Sequence, residues 1–289
     1  MPVVINSNVP SITASRILSS NRSSLEQAME RLASGKRINS AADDPAGMAV
    51  SAKMRADIRS LNQAVRNTND AIALVSTYDG AASEVESILI RMRELAVQAK
   101  TETYTNADRT AANYEYAALK TEIVRIAGTT TFNRLGIAGA SGTAGGTLSG
   151  ANSAVFYVGA DVARAGNAIT FSGESLDLNE YGTNNDLSAK TLLTTTLATS
   201  AVTAVDEALS ALSINRARAG AMINRLEHTV SNLMNISQRL QEAVSGIEDT
   251  DYAAESANLA KGMILQQAGT AMLAQANQSP QYVLLLLRS

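Results

Sequence analysis

The chain has 289 residues, which allows about two domains of the usual size. Hydrophobic residues make up 45% of it, but aromatic residues make up only 4% and Trp is absent, a mixture that suits thin helix seams better than a bulky globular core. The net charge of −3 excludes the strong positive field that gathers nucleic acid or anionic lipid, and the lack of Cys excludes disulfides, thiolate metal sites and thiol catalysis.

Neither end of the sequence carries a signal for ordinary secretion or membrane insertion. Residues 1–8 lack the basic start, the apolar run and the small-residue cleavage site of a secretory signal. The apolar tail at 283–287 is far shorter than the ~20 residues that cross a bilayer. We therefore expect neither signal-peptide export nor contact with a membrane.

The first predicted helix runs from about Ser11 to Gly35. Leu18, Leu25 and Leu32 recur every seven residues and would form one apolar stripe, with Ala28 and Met29 filling the seam. Glycine is the usual residue just beyond a helix end. The pattern therefore predicts a short amphipathic helix near the N-terminus.

A second, much longer helix is predicted from Pro45 to about Lys100. Asp44 is placed to cap its free amides, and proline suits the first helical position. The apolar seam mostly alternates steps of four and three residues, with one three-residue stammer between Val75 and Tyr78. The predicted seam consists of Met54, Ile58, Leu61, Val65, Ile72, Val75, Tyr78, Ala82, Val85, Leu89, Met92 and Ala96.

A third helix is predicted to start after Asn106 or Asp108 and to close at Gly128. Between 129 and 196 the composition shifts to Thr, Ser, Gly and Asn, which favours a small solvent-facing region. Short β-like segments are predicted there at Thr130–Phe132, Val155–Val158 and Ile169–Phe171.

The C-terminal part is predicted to contain another long helix followed by a short one. A seam without a slip indicates a coiled coil. After Gly246, the acidic segment Glu248–Asp251 favours a new helix start, and Pro280 is predicted to stop that helix. The predicted seam consists of Val205, Leu209, Leu212, Arg216, Ala219, Ile223, Leu226, Val230, Leu233, Ser237, Leu240, Val244 and Ile247.

These elements predict a mainly α fold, a long antiparallel coiled-coil bundle with a small β-containing outer insertion. The two terminal helices would form one thin pair with part of its apolar surface uncovered. At ~25 cal/mol per Å² such a pair would scarcely offset its ordering entropy, so we expect it to become ordered only when other copies cover it. The sequence therefore predicts self-assembly through the chain ends.

No catalytic, cofactor or metal site is predicted. His228 is the only histidine, so no second His or Cys can complete a ligand set. Asp43–Asp44 and Asp249–Asp251 suit helix caps, because they lack the ligand series of a calcium loop. The glycine-rich segment at 139–146 lacks the Gly-Lys-Ser/Thr ending of a phosphate-binding loop.

Three segments resemble the signatures of bacterial flagellins. Leu32–Gly47 is similar, almost word for word, to the N-terminal signature, and Asn224–Leu233 is similar to a C-terminal one. Ile264–Asn277, followed by Pro280–Gln281, resembles the last. The three segments occur in the same order as in flagellins, and the resemblance covers most of residues 1–135 and 200–288.

The resemblance implies a structural subunit of the flagellar filament used for motility. It implies an inner tube from 1–40 and 248–289, a rod from 41–135 and 197–247, and a small variable outer region at 136–196. The residues singled out for self-assembly are Leu18, Leu25, Leu32, Leu259, Ile264, Leu273, Leu284 and Leu287.

The resemblance also implies a location and partners. The subunit would be exported unfolded through the flagellum's own type III channel and would become extracellular. Its partners would be copies of itself, an export chaperone, and the filament cap and hook–filament junction proteins, with no nucleic acid and no membrane.

A vertebrate Toll-like receptor senses some flagellins, and this implies a possible receptor-contact surface. The matching residues are Arg91, Leu95, Gln98 and Glu115. The sequence departs from the family pattern at Ile90, where Gln is usual, at Arg134, where Gly is customary, and at Gly246, Gly262 and Ser289.

Two other functions stay open at this point. A hook–filament junction protein shares such end helices but joins the tube instead of building it. A coiled-coil signalling or adaptor protein, from a different class, would be monodisperse with ordered ends. An enzymatic function has the least support, because the sequence shows no nucleophile, base and orienting residue at spacings that would connect them.

Overall fold

A computed structural model describes residues 7–139, 153–159, 166–172, 176 and 187–288. Within them the chain is mainly helical, which confirms the predicted fold class. The helices are α1 (Val9–Ser34), α2 (Pro45–Lys100), α3 (Asn106–Thr129), α4 (Thr195–Glu248) and α5 (Tyr252–Arg288). The strands are β1 (Thr131–Phe132), β2 (Leu135–Gly136), β3 (Ser153–Tyr157) and β4 (Ala168–Ser172).

The helix ends follow local backbone chemistry. Gly35 ends α1 in a left-handed conformation, with φ of 70°, and its amide donates to the Arg31 carbonyl. The Asp44 carboxylate accepts the Gly47 amide at 2.9 Å, which confirms the predicted cap of α2. Thr105 and Asp108 form a reciprocal capping box at the start of α3, so Thr105 is the cap rather than Asn106 or Asp108.

The predicted stop at Pro280 is wrong. Helix α5 continues through this residue to Arg288. An internal proline removes one backbone hydrogen bond and crowds the preceding turn, at a cost of about 3 kcal/mol. The strong helix formers on both sides, Ala and Gln before it and Leu after it, favour helix on either flank, so the proline interrupts the hydrogen bonding without ending the element.

The chain divides into two compact units. The first comprises residues up to 58 and from 238 onward, and the second comprises residues 59–237. The first unit contains the pair of terminal helices. The second contains the main apolar core and the strands.

The core of the second unit lies on a continuous heptad seam of α2, and the predicted stammer is wrong. Ala64 and Ala71 are 2% and 1% exposed and Thr68 is fully buried, whereas Val65 and Ile72 are only half-buried. The seam therefore steps in threes and fours from Leu61 to Ala99 without a slip. Ala64, Thr68 and Ala71 therefore form the seam in a part of α2 where the sequence predicted Val65 and Ile72.

Helix α4 packs with a broader stripe than its heptads predict. Val205, Leu212 and Leu226 are fully buried as expected. Leu209, Arg216 and Ile223 are half-buried flanking residues, and Ala208 and Asn215 lie deeper. The Arg216 guanidinium bonds to the carboxylates of Asp79 and Glu86 on α2, so this flanking position joins the two helices by charge.

Helix α4 is the one helix in the described residues that is long and apolar enough, by length and composition, to cross a membrane. Helices of a soluble core pass the same test. Val205, Leu212 and Leu226 of this helix are fully buried in the second unit.

The hairpin of β3 and β4 packs on the helical core. The strands are antiparallel, with Val155 opposite Thr170 and Phe156 opposite Ile169. Phe171 meets the ring of Tyr78 edge-on, with centroids 5.6 Å apart. The predicted β-like segments at 155–158 and 169–171 do form strands. The sequence predicted a solvent-facing region, whereas Ile169 and Phe171 are buried against the helical core.

A second, very short hairpin was only half predicted. Strand β1 pairs with β2 through a two-residue loop in which Asn133 and Arg134 both have positive φ, 50° and 66°. Two positive φ angles are the arrangement of a type I′ turn, which Asn-Gly signals in a sequence. The chain has Arg134 where such a turn usually has glycine. The sequence therefore did not indicate a turn here, and β2 was not predicted.

Arg134→Gly is expected to stabilise the second unit by about 0.5–1 kcal/mol, because glycine removes the steric cost of the left-handed backbone at this position. Thermal unfolding of the full chain measures the change. Asn133→Gly is the matched control and should gain less, since Asn tolerates this conformation. Equal gains at both positions, or a loss at Arg134, would contradict the strain assigned to Arg134.

Candidate assembly site

The terminal helices α1 and α5 form an antiparallel pair within the first unit. At one end, the Asn8 side chain donates to the Ala276 carbonyl at 2.9 Å and the Ser11 hydroxyl donates to Asn277 at 2.7 Å. At the other end, the Tyr252 hydroxyl donates to the Leu32 carbonyl at 2.9 Å. Polar contacts therefore fix the register at both ends of the pair.

Between these ends, leucines of α1 lie over glycines of α5. A Cβ on Gly262 would stand 3.0 Å from Leu25 Cδ1, and one on Gly269 would stand 3.1 Å from Leu18 Cδ1. Leu259 and Leu273 of α5 are half-buried. At both glycines a large residue of α1 faces a small one of α5, which lets the two helices approach closely.

The sequence identified the leucines of this seam but not their counterparts. Gly262 stood out only as a departure from the family pattern, and Gly269 was not singled out. A glycine inside a helix is normally unfavourable by about 1 kcal/mol relative to alanine. Close approach of a partner side chain explains its presence at both positions.

A cluster of backbone and ionic contacts closes the base of the pair. Lys36 and Asp249 form an antiparallel β-bridge, and the Thr250 amide donates to the Gly35 carbonyl at 3.1 Å. The Glu248 carboxylate is 5% exposed and lies 2.8 Å from the Arg55 guanidinium and 3.8 Å from the Lys36 ammonium. A buried carboxylate needs such partners. These contacts hold the connection between α4 and α5 against the residues that follow α1.

Asp43 organises the loop between α1 and α2. One carboxylate oxygen accepts the amides of Asn39 and Ser40 at 3.1 and 2.9 Å. The other accepts the Gln27 side chain of α1 at 2.9 Å. The backbone hydrogen bonds, chiefly from Ser40 and then Asn39, lower the pKa of Asp43 to about 2. The Asp44 and Asp251 carboxylates accept backbone amides at the starts of α2 and α5, as the predicted caps require, and the Asp249 carboxylate accepts the Ser245 hydroxyl.

The lowered pKa of Asp43 predicts an acid-dependent stability of the first unit. The folded pKa of about 2 lies below the ordinary value of 3.8, so the stabilisation is complete above about pH 4 and is lost as the pH falls toward 2. The difference in unfolding free energy between the natural chain and Asp43→Asn should therefore narrow as the pH falls from about 4 to about 2. Denaturant unfolding at each pH measures it, and a constant gap would contradict the assignment.

The residues predicted for self-assembly fall into three groups. Leu18, Leu25, Leu32, Leu259 and Leu273 lie buried or half-buried along the stripes by which α1 and α5 face each other. Ile264 is 66% exposed. The side chains of Leu284 and Leu287 lie outside the described residues. An assembly role for all eight stays a prediction.

Other apolar residues on the terminal helices are exposed and were not predicted. They lie on the flanks and outer faces of the pair, away from the leucine–glycine seam. They are Val9, Ile12, Ile17 and Met29 of α1 and Met263, Leu265 and Met272 of α5. Met29 was predicted to fill the seam of α1 but is 44% exposed, so that prediction is wrong. The other six fall outside the predicted heptad stripe of each terminal helix.

Comparison with known families matches both helical parts of the chain. The bacterial flagellin N-terminal helical region matches residues 5–137, and the bacterial flagellin C-terminal helical region matches residues 202–287. Together they cover well over half of the sequence. The chain belongs to the bacterial flagellin family.

Relatives of this flagellin match over their full length. It is 46% identical to a flagellin of Halalkalibacterium halodurans, over 99% of this chain and 100% of the relative. It is 39% identical to the flagellin of Bacillus subtilis, over 98% and 99% of the two chains. Only residues 138–201 separate the two family matches, so this flagellin is a short form without a large outer domain.

Two solved structures are similar to parts of this chain. A Bacillus cereus flagellin is 30% identical, with a TM-score of 0.49 over 58% of this chain and 88% of that one. A putative flagellar hook-associated protein from Vibrio parahaemolyticus is 12% identical, with a TM-score of 0.58 over 72% and 100%. The second similarity shows a shared fold alone.

The predicted receptor-contact residues of this flagellin differ in how far their side chains are exposed. Arg91 Nε lies 2.9 Å from Glu115 on α3, and Nη1 lies 2.9 Å from Glu94. Gln98 donates to the Tyr104 hydroxyl at 2.8 Å on the exposed surface. Leu95 is only 3% exposed within the helical core, so its side chain is not available to a receptor while α2 stays packed.

Proposed function

We propose that this flagellin polymerises through the outer surfaces of α1 and α5 to build the filament that drives motility. One observation carries the proposal: large apolar side chains remain exposed on both terminal helices, with Ile12, Ile264 and Met272 each 66% exposed. Apolar surface left on paired helices favours association. Copies of the same chain are the occupants that the flagellin family implies, because its members assemble into homopolymers.

The direct test removes one partner of the pair at a time. Intact monomer is expected to form filaments when seeded, and deletion of residues 1–35 or 252–289 should abolish this while α2 to α4 stay helical. Electron microscopy of negatively stained samples and circular dichroism give the two readouts. Truncated chains that polymerise as well as the intact protein would overturn the mechanism.

A point substitution tests the exposed surface without removing a helix. Ile264→Lys places a charge on the outer face of α5 and should raise the critical concentration for polymerisation on the order of tenfold or more. Val155→Lys, at a position 51% exposed on β3 in the middle region, is the matched control and should have little effect. Equal effects of the two charges would argue against the terminal helices as the assembly surface.

The junction role remains the alternative within the same apparatus. The full-length identity to flagellins of two bacteria favours a filament subunit. Copy number separates the two functions, since thousands of copies per flagellum indicate a filament and a few copies indicate a junction. If the chain is monodisperse with ordered ends in dilute solution, the result would instead support a coiled-coil signalling or adaptor protein.

We further propose that the chain is exported unfolded through the flagellum's type III channel and becomes extracellular. Family membership supports this route, together with an export chaperone and the filament cap and junction proteins as partners. Loss of secretion in a strain without the flagellar export apparatus, with general secretion intact, is the expected result. Unchanged secretion would contradict the route.

Recognition by the vertebrate Toll-like receptor is proposed through Arg91, Gln98 and Glu115, with Leu95 supporting them from the core. The exposed position of Arg91 and Glu115 on neighbouring helices supports the proposal. Arg91→Ala is expected to lower activation of receptor-bearing reporter cells. Arg125→Ala, which breaks a similar exposed pair with Glu122 on α3, is the control and should leave activation unchanged.

A further inference from the structure

Methionines are concentrated on the exposed surfaces of the terminal helices. Of the eight methionines whose side chains the structure describes, four are exposed. Met29 on α1 and Met263 and Met272 on α5 are 44%, 47% and 66% exposed. Met234 in the second unit is the fourth, and Met92 in the core is fully buried.

We propose that Met29, Met263 and Met272 are oxidation sites, and that their conversion to the sulfoxide prevents the subunit from polymerising. The proposal rests on the proposed function, because it assigns a redox sensitivity to the same assembly surface. The oxidant is of the peroxide class. The assembled filament would be the protected state, since neighbouring copies would cover these side chains.

The chemistry requires only an accessible thioether and one peroxide. A lone pair of the methionine sulfur attacks one peroxide oxygen, an S–O bond forms and the O–O bond breaks. Hydroxide leaves and takes the proton from the new S–OH group, giving sulfoxide and water. The sulfur is oxidised by two electrons and the peroxide is reduced by two.

Methionine sulfoxide is more polar than methionine, and the proposed contact between copies would bury apolar side chains. A thioether is apolar and adaptable, whereas a sulfoxide carries a strong hydrogen-bond acceptor. Burying that oxygen against apolar side chains such as the exposed Ile264 and Leu265 leaves it without a partner. Oxidation would thus penalise the contact between copies.

The same change should spare the fold of the single subunit. The three methionines lie outside the stripe of α1 and α5 that contains Leu25 and Gly262. Their sulfoxides would stay in water while the helices remain paired. An oxidised monomer is therefore expected to fold and yet fail to elongate a filament.

The experiment uses the full chain as a monomer treated with dilute hydrogen peroxide. Peptide mass spectrometry is expected to find sulfoxide at Met29, Met263 and Met272, and little at Met92. Seeded polymerisation should then show a critical concentration raised on the order of tenfold, with unchanged circular dichroism. Treatment with methionine sulfoxide reductases should reverse the effect.

Leucine variants separate this mechanism from general oxidative damage. The triple variant Met29→Leu, Met263→Leu and Met272→Leu should polymerise after peroxide treatment as it does before. Met234→Leu is the matched control and should stay as sensitive as the natural chain. Inhibition of the triple variant equal to that of the natural chain, or normal polymerisation of the oxidised natural chain, would overturn the proposal.

The untreated samples test the proposed function separately. If untreated monomer polymerises and oxidised monomer also does, the oxidation mechanism fails alone. If untreated monomer does not polymerise, the assembly function fails and this proposal fails with it.

Discussion

Leucine in place of Gly262 is expected to force α1 and α5 apart and to abolish polymerisation. Even a single added Cβ would stand 3.0 Å from Leu25 Cδ1 and 3.6 Å from its Cβ, so a full leucine side chain cannot fit without separating the helices. Overpacking of this kind costs about 2–3 kcal/mol. Hydrogen exchange of the α5 amides in the monomer and seeded polymerisation measure the two consequences.

The same residue type elsewhere in the first unit provides the control. A Cβ on Gly246 of α4 would meet nothing within 4 Å, so Gly246→Leu should cost nothing in packing and should gain about 0.5–1 kcal/mol of helix propensity. The double variant Leu25→Ala and Gly262→Leu exchanges the large and small residues across the seam and should restore part of the pairing. A double variant no better than Gly262→Leu would refute the leucine–glycine register.

Leu89→Ala is expected to cost about 3–4 kcal/mol in the stability of the second unit. Leu89 is fully buried in the seam of α2, and truncating it removes apolar contacts and leaves a cavity that the packed helices cannot fill. Denaturant unfolding followed by circular dichroism measures the loss.

The neighbouring residue is the matched control for that substitution. Ile90 is 48% exposed, so Ile90→Ala removes similar mass with little burial and should cost less than about 1 kcal/mol. Comparable losses at the two positions would mean that the seam does not pass through Leu89.

The position of the proposed assembly surface changes the role expected of the terminal leucines. Leu18 and Leu25 lie over glycines in the seam of one subunit, so they are placed to hold α1 and α5 in a fixed register. The exposed residues on the flanks, such as Ile12 and Ile264, are the ones left to meet another copy. Loss of a seam leucine and loss of a flank residue should therefore both stop assembly, the first by separating the pair and the second with the pair intact.

Local chemistry in the sequence was sufficient for most element boundaries. Gly35 ends α1, Asp44 and Pro45 start α2, and Lys100 ends it, as predicted. These boundaries depend on hydrogen bonds and backbone angles within a few residues, which is why residue types alone reveal them. Pro280 is the exception, because α5 continues through it despite the local cost of an internal proline.

The residue pattern was enough to establish the helical class, the order of the helices, the heptad character of the long ones and the resemblance to flagellins. Tertiary packing was needed to establish that Ala64, Thr68 and Ala71 form the seam of α2, that Gly262 and Gly269 receive leucines of α1, and that Met263 and Ile264 stay exposed. The reason is that a small residue or an apolar one has no fixed role of its own. Its burial is set by the partner that approaches it from a distant part of the chain, and no local pattern specifies that partner.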